Sequence, residues 1–461
     1  MSTQSFLALF ILASCALDAH ALDTRCMEFE AKPDVAISAC TRAIESGNLQ
    51  GMALAKAYLD RGAAWYEKGD YDSAISNFDA SIEQDPALAE AYNRRGNAHY
   101  GKGQDELALV DFDSALKIRP RYAEVYNNRG NVYAHLGKYD LALADFDAAL
   151  KINPGYASAY FNRGNTWYKK GNFELAISDF DIVIKAYPRF PIPYNYRGFA
   201  WAKKGNYEKA IRDYDMAIRL DPKYAVAFFN RGSLKQHHGD DRNAIADFDS
   251  AISINPDYGA AYNGRGKSLT ELGDYKKALL DFDEAIGIDR SNADAHNNRG
   301  FVEYLEGREK EALRDFDRAV SINPDFAIAY SNRGHVLFNQ GKFGKAAEDF
   351  SQAVQLSRDG YAGIWLYLAR SRHGESPKME GSDSGGWVMH LQDLFSGHIT
   401  PRALLAISKG KGQHCEANFY TGEFELLRGS KKNAREGFRA AIRTCPRQFV
   451  EYAEAKAELS R

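Results

Sequence analysis

An arginine recurs every 34 residues along much of this chain, at Arg61, Arg95, Arg129, Arg163, Arg197, Arg231, Arg265, Arg299 and Arg333. A guanidinium presents a planar fork of donors that matches a carboxylate or phosphate with two bonds. The chemistry on offer is therefore anion binding, either of a ligand or of the chain's own acids. Candidate acids share the period. Asp111, Asp145, Asp179, Asp213, Asp247, Asp281, Asp315 and Asp349 each precede a recurring aromatic residue, with Asn77 standing in the first block. A second Asp follows that aromatic, as in Asp145-Phe146-Asp147, except at Ser351. Because the acids repeat in step with the arginines, we assign both to an internal Arg–Asp lattice. Which acid belongs to the same block as its arginine, and which to a neighbour, stays open at this level. In the alternative assignment the arginines point into a groove and bind acidic ligands.

Little else in the chain is reactive. His414 and Cys415 are adjacent, and neighbours on a helix diverge by about 100°, so they do not form a nucleophile–base pair. No Cys/His spacing matches a zinc site, and there is no phosphate-binding or dinucleotide-binding glycine motif. His237-His238 reads as a solvated pair at a helix end. No catalytic residue, metal or cofactor is assigned, and the chain is not read as an enzyme. A hydrolase in the irregular C-terminal region is the opposing reading. The 461 residues carry a net charge of −3, which leaves no basic excess for nucleic acid. No internal apolar run reaches transmembrane length.

The elements that position these residues are helix pairs. Residues 53–358 divide into nine blocks of 34 without insertion or deletion. In the third block a first helix runs from about Ala123 to Leu136, and Gly137 ends it with a residue suited to left-handed geometry. A second helix spans about Tyr139 to Ile152, and Pro154 stops it. Gly130 and Ala142 permit close approach, and Tyr126 and Phe146 fill the space between the helices. One hairpin cannot bury its apolar face alone, but stacked hairpins can. Counting from Ala123, the block has aromatics at positions four and 24, Gly at eight, small residues at 20 and 27, and Pro at 32. This pattern resembles the tetratricopeptide repeat (TPR) family, with Arg at position seven where the family usually has Leu. The resemblance implies an all-α solenoid, a right-handed superhelix of antiparallel hairpins with a concave groove.

In such a superhelix, positions two, six, nine and thirteen of the first helix resemble the groove lining. Position six supplies Asn128, Asn162, Asn230, Asn298 and Asn332, and position nine supplies Asn97, Asn131 and Asn165. An amide side chain offers both donor and acceptor, which suits the backbone of an extended peptide. Phe161, Tyr196, Phe199, Phe229 and Phe301 add apolar spots near the same face. The basic residues there, Lys56, Arg94 and Lys267, are too scattered to clamp a terminal carboxylate.

The two ends are different. Residues 1–21 read as a signal peptide with a small-residue cleavage site at Ala19-His20-Ala21; a lipobox-like Leu12-Ala13-Ser14-Cys15 is the competing reading and would place a lipid on Cys15. Residues 22–52 read as a capping half-repeat, with Cys40 where the second helix of a block carries its aromatic. Residues 359–414 are an irregular helical region with a polar loop at 373–386, and residues 415–461 hold a last hairpin and a capping helix. After cleavage four cysteines remain, an even number suited to disulfides in an exported protein. The expected pairings are Cys26 with Cys40 and Cys415 with Cys445. Trp387, Phe395-Ser396-Gly397, Asn418-Phe419-Tyr420 and Phe449-Val450-Glu451 resemble the C-terminal part of NlpI-like periplasmic TPR lipoproteins. That resemblance implies a scaffold for envelope proteins with a tendency to dimerise. The expected function is thus a periplasmic or secreted adaptor that holds extended segments of other proteins. The alternative is a structural dimeric spacer that binds through its ends.

Overall fold

The computed structural model describes residues 32–379 and 385–461. Residues 1–31, among them Cys15 and Cys26, and residues 380–384 lie outside them. Among the described residues every regular element is an α-helix. The described residues form two compact units, unit 1 ending at Asp213 and unit 2 beginning at Tyr214.

The third block shows why the sequence makes hairpins. Its first helix, Ala123–His135, ends where Gly137 takes φ of 71°. There the Lys138 N–H donates back to Tyr133 O and the Gly137 N–H to Ala134 O, which satisfies carbonyls the helix end would otherwise leave bare. The second helix, Tyr139–Ile152, stops at Asn153 in extended conformation, one residue before Pro154. Gly130 lies against the ring of Phe146: an added Cβ would come within 2.8 Å of it. Phe146, Ala142 and Ala149 are fully buried between the two helices. Burial of one such ring contributes about 1.5–3 kcal/mol.

In unit 1 a helix at Pro33–Glu45 (α1) packs on Gly51–Glu67 (α2), which pairs with Tyr71–Gln84 (α3). Cys40 is fully buried in α1 beside Ala39, as a residue in the place of the core aromatic should be. Of the two expected disulfides, however, the Cys26–Cys40 pairing is not described, because Cys26 falls outside the described residues. Three further hairpins follow: Ala89–Gly101 with Asp105–Ile118 (α4, α5), Ala123–His135 with Tyr139–Ile152 (α6, α7), and Ala157–Lys169 with Phe173–Ala186 (α8, α9). Pro191–Lys203 (α10) begins the next hairpin, and Tyr207–Leu220 (α11) follows it. Phe78, Phe112, Phe146 and Phe180 form the spine of this core.

Unit 2 continues the pattern with Ala225–His237 (α12), Asp241–Ile254 (α13), Gly259–Glu271 (α14), Tyr275–Ile288 (α15), Ala293–Leu305 (α16), Glu309–Ile322 (α17), Ala327–Asn339 (α18) and Phe343–Ser357 (α19). Phe248, Phe282, Phe316 and Phe350 are fully buried. Beyond Arg358, the one described non-glycine residue with a left-handed backbone, the 34-residue rhythm stops. Gly360–Arg372 (α20), Trp387–Phe395 (α21) and Pro401–Ile407 (α22) lead to Gly410–Leu427 (α23), Lys431–Thr444 (α24) and Val450–Ser460 (α25). The first helix of this last hairpin starts before Cys415, because the Gln413 side chain accepts from the Lys409 N–H and secures the added turn. Cys415 and Cys445, the second expected pair, are joined across that hairpin, with Cα atoms 4.5 Å apart. The largest core cluster surrounds Trp365, Phe419, Tyr420 and Phe438.

Candidate protein-binding face of the first helices

The arginines are consumed inside the repeats. Arg129 donates from Nε and Nη2 to Asp145 at 2.8 and 2.7 Å, within its own hairpin, and from Nη1 to Asp113 of the preceding hairpin at 2.5 Å. Arg95, Arg163 and Arg197 do the same in unit 1, taking Asp111, Asp179 and Asp213 with the fork and Asp79, Asp147 and Asp181 with Nη1. Arg231, Arg265, Arg299 and Arg333 follow suit in unit 2 with Asp247, Asp281, Asp315 and Asp349 and with Asp215, Asp249, Asp283 and Asp317. The first arginine meets a substitute set: Arg61 donates to Asn77 Oδ1 at 2.6 Å and to Thr41 Oγ1 of α1 at 3.2 Å.

The guanidinium also lies over the position-four aromatic one turn earlier, as Arg129 does over Tyr126 at 5.5 Å. Burial pushes the Asp145, Asp179, Asp213 and Asp349 carboxyls above their ordinary range, and one arginine only partly offsets it. Burial acts upward on Asp315 too, but Arg299 together with His296 Nδ1 at 3.1 Å holds it below that range. Arg129, Arg163, Arg265 and Arg333 are about one-fifth exposed, each with its guanidinium held between two aspartates.

The position-six asparagines are engaged as well. Asn128 Nδ2 donates to Asn93 Oδ1 at 3.1 Å, and Asn162 Nδ2 to Asn127 Oδ1 at 3.0 Å. In unit 2, Asn298 donates to Asn263 at 3.0 Å and Asn332 to Asn297 at 2.9 Å. Each bond links position six of one repeat to position five of the repeat before. The partners Asn93, Asn127, Asn263 and Asn297 stand off the 34-residue period of the position-six row. Their signal is a spacing of 35. Asn230 is half-buried.

Position nine differs. Asn97, Asn131 and Asn165 are half-buried, and their side chains have no hydrogen-bond partner among the described residues. They stand on three consecutive first helices, α4, α6 and α8. The same unit carries Phe199, 39% exposed, 5.1 Å from the ring of Tyr168. Near the N-terminal end of the row, Glu90 accepts two bonds from Arg94, and Glu124 accepts from Asn93 Nδ2. Burial, relieved in part by Arg94 and Lys56, pushes the Asp60 carboxyl up to about 6. The other apolar spots are packed: Phe161 on Tyr196 at 5.0 Å, Phe229 on Tyr258 at 5.1 Å, and Phe301 against the core cluster of Tyr304, Ala312, Phe316 and Val336.

Comparison with known families decides the architecture. Models described as tetratricopeptide repeat match residues 123–156, 191–224 and 327–359, residues 158–189 and residues 225–258. One described as TPR repeat matches 62–103, 96–137, 266–307 and 302–341. Together they span more than half of the chain. It is a tetratricopeptide repeat protein.

Solved structures similar to this TPR protein include a tetratricopeptide repeat protein from Parabacteroides merdae ATCC 43184, at 22% identity over 54% of this chain and 98% of that one, with a TM-score of 0.46. YrrB, described as a TPR protein with an unusual peptide-binding site, matches at 26% identity over 41% and 96% of the two chains, TM-score 0.34. Pseudomonas aeruginosa pilF matches at 19% over 44% and 92%, TM-score 0.40. Among the described residues of the TPR protein no helix is long and apolar enough to cross a membrane, and no cluster of three or more His, Cys, Asp or Glu is arranged to hold a metal ion.

Proposed function

We propose that this TPR protein is an exported, non-catalytic adaptor that holds an extended segment of a partner protein on the first-helix face of unit 1. The observation that carries this reading is the row of Asn97, Asn131 and Asn165, whose amides have no partner among the described residues. An extended backbone brings alternating N–H and C=O groups that need such partners. Asp60, Glu90 and Glu124 outnumber Lys56 and Arg94 around the same face, which favours a segment with basic residues. The Cys415–Cys445 bond supports an oxidising compartment, periplasmic or extracellular. The C-terminal resemblance to NlpI-like lipoproteins supports a role at the cell envelope.

The test is photo-crosslinking in intact cells from position 131, compared with position 141. Leu141 is 50% exposed on the second helix, away from the row. Partner capture from position 131 and not from 141, abolished by Asn97→Ala with Asn165→Ala, is the expected result. Equal capture from both positions would favour a spacer that binds through its ends.

A further inference from the structure

The C-terminal helix α25 inverts the usual helix pattern. Its buried stripe is Glu451, Glu454, Ala455 and Glu458, with relative exposures of 5%, 0%, 0% and 6%. The spacing of three and four residues is that of a core-facing stripe, yet three of the four residues are acids. A surface helix would turn those acids outward, since an unpaired buried carboxylate is costly.

The stripe lies on the first helices of the last two repeats and on α23. Glu454 Oε1 accepts from the Tyr304 hydroxyl of α16 at 2.9 Å and stands 3.5 Å from His335 Nδ1 of α18. Its Oε2 is buried without a hydrogen-bond partner among the described residues. Glu451 accepts from the Tyr420 hydroxyl of α23 at 3.4 Å. Glu458 takes Arg372 of α20 at 3.2 Å and is paired with Arg461. Arg461 also donates to Phe338 O and Asn339 O at 2.7 and 2.6 Å, closing the end of α18. Val450 and Ala453 pack, like Phe301, against the core cluster of Tyr304, Ala312, Phe316 and Val336.

The charge balance is unfavourable. Around α25 stand its own Glu451, Glu454, Glu458 and Arg461; Tyr304 of α16; Glu309 of α17; His335 of α18; Tyr361 and Arg372 of α20; and Glu416, Tyr420 and Glu423 of α23. Among the described residues, six carboxyls face two guanidinium groups.

We infer that α25 is a proton-dependent latch: the chain's own ligand on the first-helix face of the last two repeats, seated while its buried carboxyls hold protons and released as they ionise. Release uncovers Phe301, Tyr304, His335, Phe338 and Asn339, a face able to take another acidic helix of the same pattern. The inference stands apart from the peptide row of unit 1, and its readout does not depend on that row.

The direction follows from linkage. Burial raises Glu451 from 4.5 to about 7 and raises Glu454 well above 4.5, so the seated state binds more protons than the released one. The contribution of Glu451 is complete below pH 4.5 and is lost as pH rises through about 7, and that of Glu454 is lost in the same direction. His335 opposes them: burial lowers it from 6.5 to about 3, so its contribution is present above 6.5 and lost toward 3. Above pH 6.5 the carboxyls act alone.

The test is hydrogen exchange of residues 450–461 in the full chain at pH 6.5 and pH 9, corrected for intrinsic rates. Glu451 alone lowers protection by about fourfold over that interval, and Glu454 adds to it. Glu451→Gln with Glu454→Gln should hold protection constant, with exchange in α6 and α7 as the control that the fold is intact. Equal wild-type protection at both pH values overturns the latch. So does an undiminished fall in the double variant, or fast exchange at every pH. A failure of the unit 1 crosslinking leaves this result unaffected.

Discussion

Arg129 grips Asp145 with two parallel bonds, at 2.8 and 2.7 Å, across the interior of one hairpin. Asp145 is nearly buried, at 8% side-chain exposure, and Arg129 is 19% exposed. Asp113, the second acid on the same guanidinium, is 60% exposed. The inner bond therefore couples the two helices of a repeat, and the outer one adds a weaker tie to the repeat before. Asp145→Ala leaves a partly buried guanidinium with one exposed partner, and the expected loss is about 3 kcal/mol. Asp113→Ala should cost under about 1 kcal/mol. Arg129→Leu with Asp145→Leu should regain much of the loss. Repeat arrays unfold in steps, so the measurement is hydrogen-exchange protection in α6 and α7 rather than one global melt.

The asparagine rows separate stability from binding. Asn128→Ala removes the bond to Asn93 and should destabilise α4 and α6 by about 1 kcal/mol. Adding Asn93→Ala should cost less than the sum of the single changes, a coupling read by a double-mutant cycle. Asn131→Ala should leave exchange protection unchanged while reducing partner capture.

Gly130→Ala introduces a Cβ within 2.8 Å of the Phe146 ring, which is fully buried. The expected cost is about 1–3 kcal/mol, again confined to neighbouring hairpins. Gly137→Ala acts differently, through φ of 71° rather than through contact, and should cost about 1 kcal/mol.

Loss of the Cys415–Cys445 bond through Cys415→Ser with Cys445→Ser should destabilise the last hairpin by about 3–4 kcal/mol by the chain-entropy argument. Urea unfolding monitored at Trp365 and Trp387, with and without reductant, checks it. The reductant should act on the wild type and not on the double variant.

Asp60 supplies a pH signature at the N-terminal end of unit 1. Its folded value of about 6 exceeds the ordinary 3.8, so its contribution is whole below 3.8 and lost as pH rises through 6. Asp60→Asn should remove that loss, seen as flatter α2 exchange protection between pH 4 and pH 8.

The chain alone determined the hairpins, the residue types of the lattice and the Cys415–Cys445 disulfide. Each is local or repeats with the block, and a repeat that touches only its neighbours writes its contacts into the period. The asparagine ladder was half legible. Asn128 and Asn162 stood out as a row, but their partners sit one position off the period, so the row looked like an open lining. Tertiary structure alone decided how each guanidinium divides its donors: Asp145 stands before Phe146 on α7 and Asp113 after Phe112 on α5, and only the stacking of successive hairpins brings both to Arg129. It also decided the seat of α25. Tyr304 and Glu454 are 150 residues apart, and a contact made once leaves no periodic trace. A glutamate stripe reads as solvated surface until the packing of the helix shows that it faces inward.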